Sequence, residues 1–286
     1  MLLISEFKQS LKTVDSEEIL DLYFFRPISF VLVKLIYNTN ITPNHISIVA
    51  LMFGIMSGVL YGFGTYKFLL LGSMSFFICN TLDCMDGQLA RLKKNGTRIG
   101  RVIDGFIDYI TSVSVFLGLG IAMTHITGDA LFSWTLTVTA GVSKALQNMF
   151  FDNYRNMYLE YVYQKASGLD EEITEYSEEM DELEKVKGKF IEKLLISSYL
   201  SYSKFQKRST KHFVLDVTPE EYKRKNKTLL RVWSWIGSTT HMVALIIFSI
   251  FNRIDLYLIS AITIGNLVFL ILFLWQRSVI NSFKKK

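Results

Sequence analysis

The sequence predicts an all-α integral membrane protein with six transmembrane helices and an N-terminal interfacial amphipathic helix. Three observations carry this expectation. Half of the 286 residues are hydrophobic, and they gather in blocks that span or nearly span the ~20 residues a ~30 Å hydrocarbon core requires. The charged residues, 20% of the chain, are largely excluded from those blocks. The basic residues also favour alternate connections between blocks, as the positive-inside rule describes.

The N-terminus does not read as a secretory signal, because MLLISEFKQS lacks a basic region followed by a long apolar core. Residues 16–37 mix Phe24, Phe25, Phe30, Val31 and Leu35 with Glu17, Glu18, Asp21, Arg26 and Lys34, a pattern that suits a helix lying in the membrane interface. Thr42, Pro43 and Asn44 then provide a turn. The expected spans are Ile46–Gly64, Phe68–Leu82, Val102–Ala122, Leu131–Phe151, Trp233–Phe251 and Leu256–Trp275, the second and third extending beyond the bilayer.

The chain divides accordingly into an N-terminal part over 1–42, spans one to four over 43–160, a charged insertion over 161–230, and spans five and six with a basic tail over 231–286. The insertion is acidic from Asp170 to Glu184 and rich in Lys and Arg thereafter, which suits a solvated cap or a partner surface. One short connection holds Arg91, Lys93, Lys94, Arg98 and Arg101, and the tail ends in three lysines. These place both termini and the insertion in the cytoplasm. The net charge of +5 is therefore a topology signal, and no nucleic-acid partner is needed to explain it. Cys79 and Cys84 lie in an apolar stretch and read as free buried thiols.

The chemistry concentrates between Asp83 and Asp108, DCMDGQLARLKKNGTRIGRVIDGFID. Asp83 and Asp86 fall at i and i+3 at the end of one apolar helix, and Gly100, Asp104 and Asp108 fall at i, i+4 and i+8 on the next, so each set occupies one face. Ionisable groups near a membrane imply a cavity and a neutralising partner. Carboxylates alone favour hard ions such as Mg²⁺, Mn²⁺ or Ca²⁺ over zinc. Gly87 and Ala90 keep bulk away from the carboxylates, Gly100 opens the second helix or serves close packing, and Arg91 could hold a phosphate through paired donors. The residues point to a metal-dependent reaction on a diphosphate at the cytoplasmic membrane surface.

The pattern D-x2-D-G-x2-A-R-x8-G-x3-D-x3-D resembles the signature of the CDP-alcohol phosphotransferases (CDP-alcohol phosphatidyltransferases), with every fixed position filled. The resemblance implies an enzyme that transfers a substituted phosphate from a CDP-linked donor to an alcohol, releasing CMP, in phospholipid biosynthesis. It implies that Asp83, Asp86, Asp104 and Asp108 hold two divalent ions, Mg²⁺ or Mn²⁺, with Asp108 also serving as general base. It further implies that Asp83, Asp86, Gly87, Ala90, Arg91 and Gly100 bind the CDP moiety, and that the protein is a homodimer. CDP-diacylglycerol is the favoured donor and a small polar alcohol, such as inositol phosphate or glycerol phosphate, the favoured acceptor. The alternatives are a CDP-linked polar alcohol donating to a lipid or inositol-type hydroxyl, and, in another class, a cation transporter whose aspartates line an ion path.

An acceptor pocket is expected from Lys144, Asn148, Asp152 and Arg155, which share a helix face, together with His241. The competing reading is an internal ion pair with a snorkelling Lys, and a His satisfied by a neighbouring helix.

Overall fold

The computed structural model describes residues 2–96, 98–164, 169–186, 188–209 and 217–284, and no strand occurs among them. His212 and the last two lysines of the tail lie outside the described residues, as do the side chains of Arg98 and Arg101. The helices are α1 (Leu2–Ser10), α2 (Arg26–Ile36, entered through a π turn at Asp21–Phe25), α3 (Pro43–Gly62), α4 (Tyr66–Lys93), α5 (Arg98–Thr127) and α6 (Ala130–Tyr163). They are followed by α7 (Leu169–Glu184), α8 (Phe190–Ser209), α9 (Pro219–Trp233), α10 (Ser238–Ile250), α11 (Ile254–Ser260) and α12 (Asn266–Lys284).

Local chemistry sets the boundaries. Thr42 is an extended N-cap whose hydroxyl accepts from the His45 N–H at 3.4 Å, while His45 Nδ1 accepts from the Thr42 N–H, and Pro43 fills the first turn. His45 is thus a capping residue. At its far end α4 stops on Lys94 in the left-handed region, φ 52°. Asp129 caps α6 by accepting from Phe132 N–H at 3.0 Å, and Thr218 caps α9 ahead of Pro219.

Five spans are long and apolar enough to cross a membrane: Pro43–Gly62, Tyr66–Lys93, Val102–Thr127, Pro219–Ile250 and Ile254–Phe283. This supports an integral membrane protein, and five of the six expected spans overlap these helices. The remaining one, Leu131–Phe151, lies in α6, a 34-residue helix whose polar residues, among them Lys144, Gln147, Asn148, Asp152 and Arg155, keep it out of the apolar set. It packs against α5 and α9 all the same. The expected boundary at 230/231 falls inside α9, which continues through the turn Ser234–Ile236 into α10, so the end of the charged insertion starts a long helix.

Small residues let α3 and α5 approach closely. A Cβ at Gly58 would lie 2.2 Å from Ser114 Oγ, and one at Gly54 would lie 2.2 Å from Thr111 Oγ1. Such contacts replace the hydrophobic effect, which lipid removes as a drive for helix association. A second core joins α6, α9 and α12 around Trp233, with Phe151, Tyr158, Tyr222 and Leu272.

The insertion's first two helices, α7 and α8, form a hairpin that packs Tyr176, Leu183, Ile196 and Leu200 on Val102 at the start of α5. Within residues 16–37, where an interfacial helix is expected, α2 buries Val33 on α3 and α4 through Ile46, Met85 and Leu89. Cys79 and Cys84 are free and buried, as expected.

Candidate active site

Asp83 and Asp86 leave the last turns of α4, and Asp104 leaves the second turn of α5, across the short connection between the two helices. One carboxylate oxygen from each lies within 4.8 Å of the others. An all-oxygen set at that spacing fits a hard divalent cation. Ser47, one turn into α3, donates to Asp86 Oδ2 at 2.5 Å and so orients that carboxylate. Asp108 stands one turn beyond Asp104 on the same face, is exposed, and is not part of the three-residue group. The structure therefore brings three of the four expected ligands together and leaves the fourth carboxylate free alongside.

The small residues act differently from the expectation. A Cβ at Gly87 would lie 3.2 Å from Arg91 Nη2, so the room that glycine leaves is filled by the Arg91 guanidinium. Arg91 Nε donates to the carbonyl of Ser10, and its Nη2 is buried without a hydrogen-bond partner. Ala90 is half-buried in the last turns of α4, and Gly100 lies in the first turn of α5.

The five acceptor-pocket candidates separate into two places. Lys144 donates to Ser112 Oγ at 2.6 Å, one turn beyond Asp108 on α5, and His241 bonds Gln147 through Nε2 at 2.7 Å. Lys144, His241 and Ser112 line a narrow pocket with Phe76, Phe116 and Tyr257. Further along α6, Arg155 pairs with Asp152 at 2.8 Å and lies over the Phe151 ring. Asn148 Oδ1 and Arg155 Nε are buried without hydrogen-bond partners. The ion pair and the His–Gln bond realise the competing reading in part, yet the unpartnered atoms leave binding capacity on the same helix.

The N-terminal segment between α1 and α2 was not assigned to the site from sequence, and it crosses the end of the bundle that holds the aspartates. Gln88 Nε2 donates to Ser10 Oγ at 3.1 Å and to the Arg26 carbonyl at 3.2 Å. Arg26 pairs with Glu17 at 3.0 Å and donates to the Cys84 carbonyl at 3.0 Å. Glu18 Oε2 accepts from the Thr239 N–H at 3.1 Å, at the start of α10. Burial would raise the Glu17 pKa, but Arg26, a bond from the Lys12 N–H and Arg91 outweigh it and hold Glu17 low. Glu18 is pushed well up, by burial first and then by the neighbouring Asp21. The high density of charged residues over 12–26 was the available signal; a charge-rich interfacial helix hides it, because both patterns share one composition.

Residues 40–164 match the family model described as CDP-alcohol phosphatidyltransferase, a range that contains Ser47, the three converging aspartates, Asp108 and Arg155. Residues 40–164 form a CDP-alcohol phosphatidyltransferase domain. The chain is also 31% identical over 83 residues to the inner membrane protein YnbA of Escherichia coli (strain K12), covering 29% of this chain and 41% of that protein. The chain thus spans about two fifths of that relative's length. The N-terminal strap and α9–α12 lie outside the phosphatidyltransferase domain, although Ser10 and Arg26 bond to Gln88, Arg91 and the Cys84 carbonyl within it.

Proposed function

We propose that the protein transfers a substituted phosphate from a CDP-linked donor to an alcohol, releasing CMP. The single observation that carries this is the convergence of Asp83, Asp86 and Asp104 from two helices inside the phosphatidyltransferase domain. CDP-diacylglycerol is the favoured donor, since a lipid-borne nucleotide explains why the carboxylates sit at the ends of apolar helices. A small polar alcohol such as inositol phosphate or glycerol phosphate is the favoured acceptor. The basic connection around Arg91 and Lys93 supports a cytoplasmic site, and the family resemblance supports a homodimer.

The residues fit divalent metal. Asp83, Asp86 and Asp104 would hold Mg²⁺ or Mn²⁺, with Asp108 available to a second ion, and Ser47 keeps Asp86 aimed. Bound metal supplies neutralisation of the diphosphate and of the departing CMP. Asp108 accepts the proton of the acceptor hydroxyl, whose oxygen forms the new bond to phosphorus as the bond to the CMP oxygen breaks. Arg91 supplies the donor groups that hold phosphate oxygens in place.

The test is CMP release from radiolabelled substrate pairs by the protein in lipid nanodiscs, with and without EDTA. Release from CDP-diacylglycerol plus a polar alcohol, abolished by EDTA and restored by Mg²⁺ or Mn²⁺, is the expected result. Ion flux without nucleotide turnover would instead identify a transporter.

A further inference from the structure

The hairpin of the charged insertion takes no part in the chemistry above, yet it is anchored where a membrane span begins. Ile196, Leu200 and Ser203 are buried at i, i+4 and i+7 and define the inner face of α8. With Tyr176 and Leu183 of α7, Ile196 and Leu200 pack on Val102, and Ile103 and Phe106 join the same cluster. Val102 is the first residue of the third apolar span, and Phe106 lies one turn deeper in it. The hairpin therefore sits at the level where that span enters the bilayer.

The other face of α8 is open. Phe190, Leu194, Ser201 and Phe205 recur at i, i+4, i+11 and i+15, on the side turned away from Ile196 and Leu200. Phe190 is 76% exposed, Phe205 56% and Leu194 48%. Two phenyl rings and a leucine on one helix face are disfavoured in water, and at this level the boundary between headgroups and acyl chains can take them instead.

Charge selects the kind of lipid. In sequence α8 carries four basic residues against Glu192 alone, whereas α7 carries nine acidic residues and no basic one. Lys204 is exposed and Lys193 half-buried, and both border the open face of α8. Glu178, Asp181, Glu182 and Glu184 of α7 are exposed. A helix whose apolar face is bordered by lysines lies flat among headgroups and is drawn to anionic ones, while an acidic helix is repelled from them.

We propose that the outer face of α8 docks on anionic lipid headgroups around the start of α5, with α7 held on the water side. The proposal stands apart from the transferase reading, since it rests on the insertion alone. Val102 is two residues from Asp104, so the docked hairpin braces the helix end that presents that carboxylate.

The test uses the full chain in nanodiscs of phosphatidylcholine, with and without phosphatidylglycerol. An environment-sensitive fluorophore is attached at Leu194→Cys or Phe205→Cys on α8, and at Glu178→Cys on α7. Cys79 and Cys84 are buried, and labelled wild type is the blank. The α8 probes are expected to be quenched by spin-labelled lipid and shielded from aqueous iodide, and the α7 probe to behave in the opposite way. Phosphatidylglycerol should strengthen the α8 shielding, and Lys204→Gln should weaken it about fivefold, the effect of one basic residue near an anionic surface. Equal access of iodide to both helices would overturn the proposal. So would shielding of α8 without quenching by the lipid, which would mark a second copy or another protein as the occupant. A label-free measurement guards against a probe that inserts by itself. Hydrogen exchange over residues 190–205 of the wild type should slow by about fivefold or more when phosphatidylglycerol is added, with exchange in α3 unchanged. The same rate in both lipids would refute docking on anionic headgroups.

Discussion

Gly58 and Gly118 meet back to back across α3 and α5, so that a Cβ at Gly118 would stand 2.0 Å from the Gly58 carbonyl oxygen. No side-chain rotation relieves an overlap with backbone. Gly118→Val is therefore expected to force the two helices apart and to lower Tm, with a cost of about 1–3 kcal/mol or more, as overpacking usually carries. Thermal unfolding in detergent or nanodiscs measures it. Gly105, whose Cβ position has nothing within 4 Å, is the control, and Gly105→Ala should leave Tm nearly unchanged.

Asp108 lies outside the three-carboxylate group and is exposed on the same helix face as Asp104. Under the proposed mechanism, Asp108→Asn abolishes CMP release, on the order of 10²–10⁴-fold for a lost general base, while binding of the CDP donor largely survives. Single-turnover assays combined with donor binding separate the two. Wild-type release from the variant would remove Asp108 from that role.

Arg155 is paired with Asp152 on one side and has an unpartnered Nε on the other. Arg155→Ala is expected to raise the acceptor KM more than the donor KM, by about tenfold or more for a lost charge-assisted bond of roughly 1.5–3 kcal/mol. Equal effects on both substrates would mark the Asp152 pair as structural.

Glu18 latches the strap to α10 by accepting from Thr239 N–H, and Gly237 makes the approach possible, since a Cβ there would lie 2.4 Å from Glu18 Oε2. Gly237→Ala should displace Glu18 and release the strap, with a cost of about 1–3 kcal/mol for a buried bond left unmade. Hydrogen exchange over residues 10–22 should rise well above wild type, with exchange in α3 unchanged.

Asp15 fastens the strap at its other end, where Lys227 lies at 3.0 Å, Lys223 at 3.6 Å and the Tyr163 hydroxyl at 2.9 Å. Burial works to raise its pKa, but the bonds from Lys227 and Tyr163 and the two lysine charges outweigh it, and the result lies below the ordinary 3.8. A carboxylate with a depressed folded pKa contributes stability above its unfolded value, and that contribution fades as pH falls through the folded one. Asp15→Asn should therefore lower Tm at pH 7 by a few degrees, and the gap from wild type should close as pH drops below about 3.8. A constant gap down to pH 2 would contradict the assignment.

The sequence by itself determined the all-α membrane character, the resemblance carried by residues 40–164 and the candidate carboxylates, because apolar run length and the i, i+4 spacing of aspartates are local properties that a helix converts directly into faces. Ser47, Ser10 and Glu18 were not legible in that way. Their roles depend on contacts across 39 residues to Asp86, across 81 to Arg91 and across 221 to Thr239, and no local period encodes such distances. Tertiary structure also decided that Asp108 falls alongside the three-carboxylate group and not within it, and that the room at Gly87 belongs to Arg91. It divided Lys144 and His241 from Asp152 and Arg155 although all but His241 share one helix. The physical reason is the same in each case: a helix sets which residues share a face, but only packing against other helices sets what that face meets.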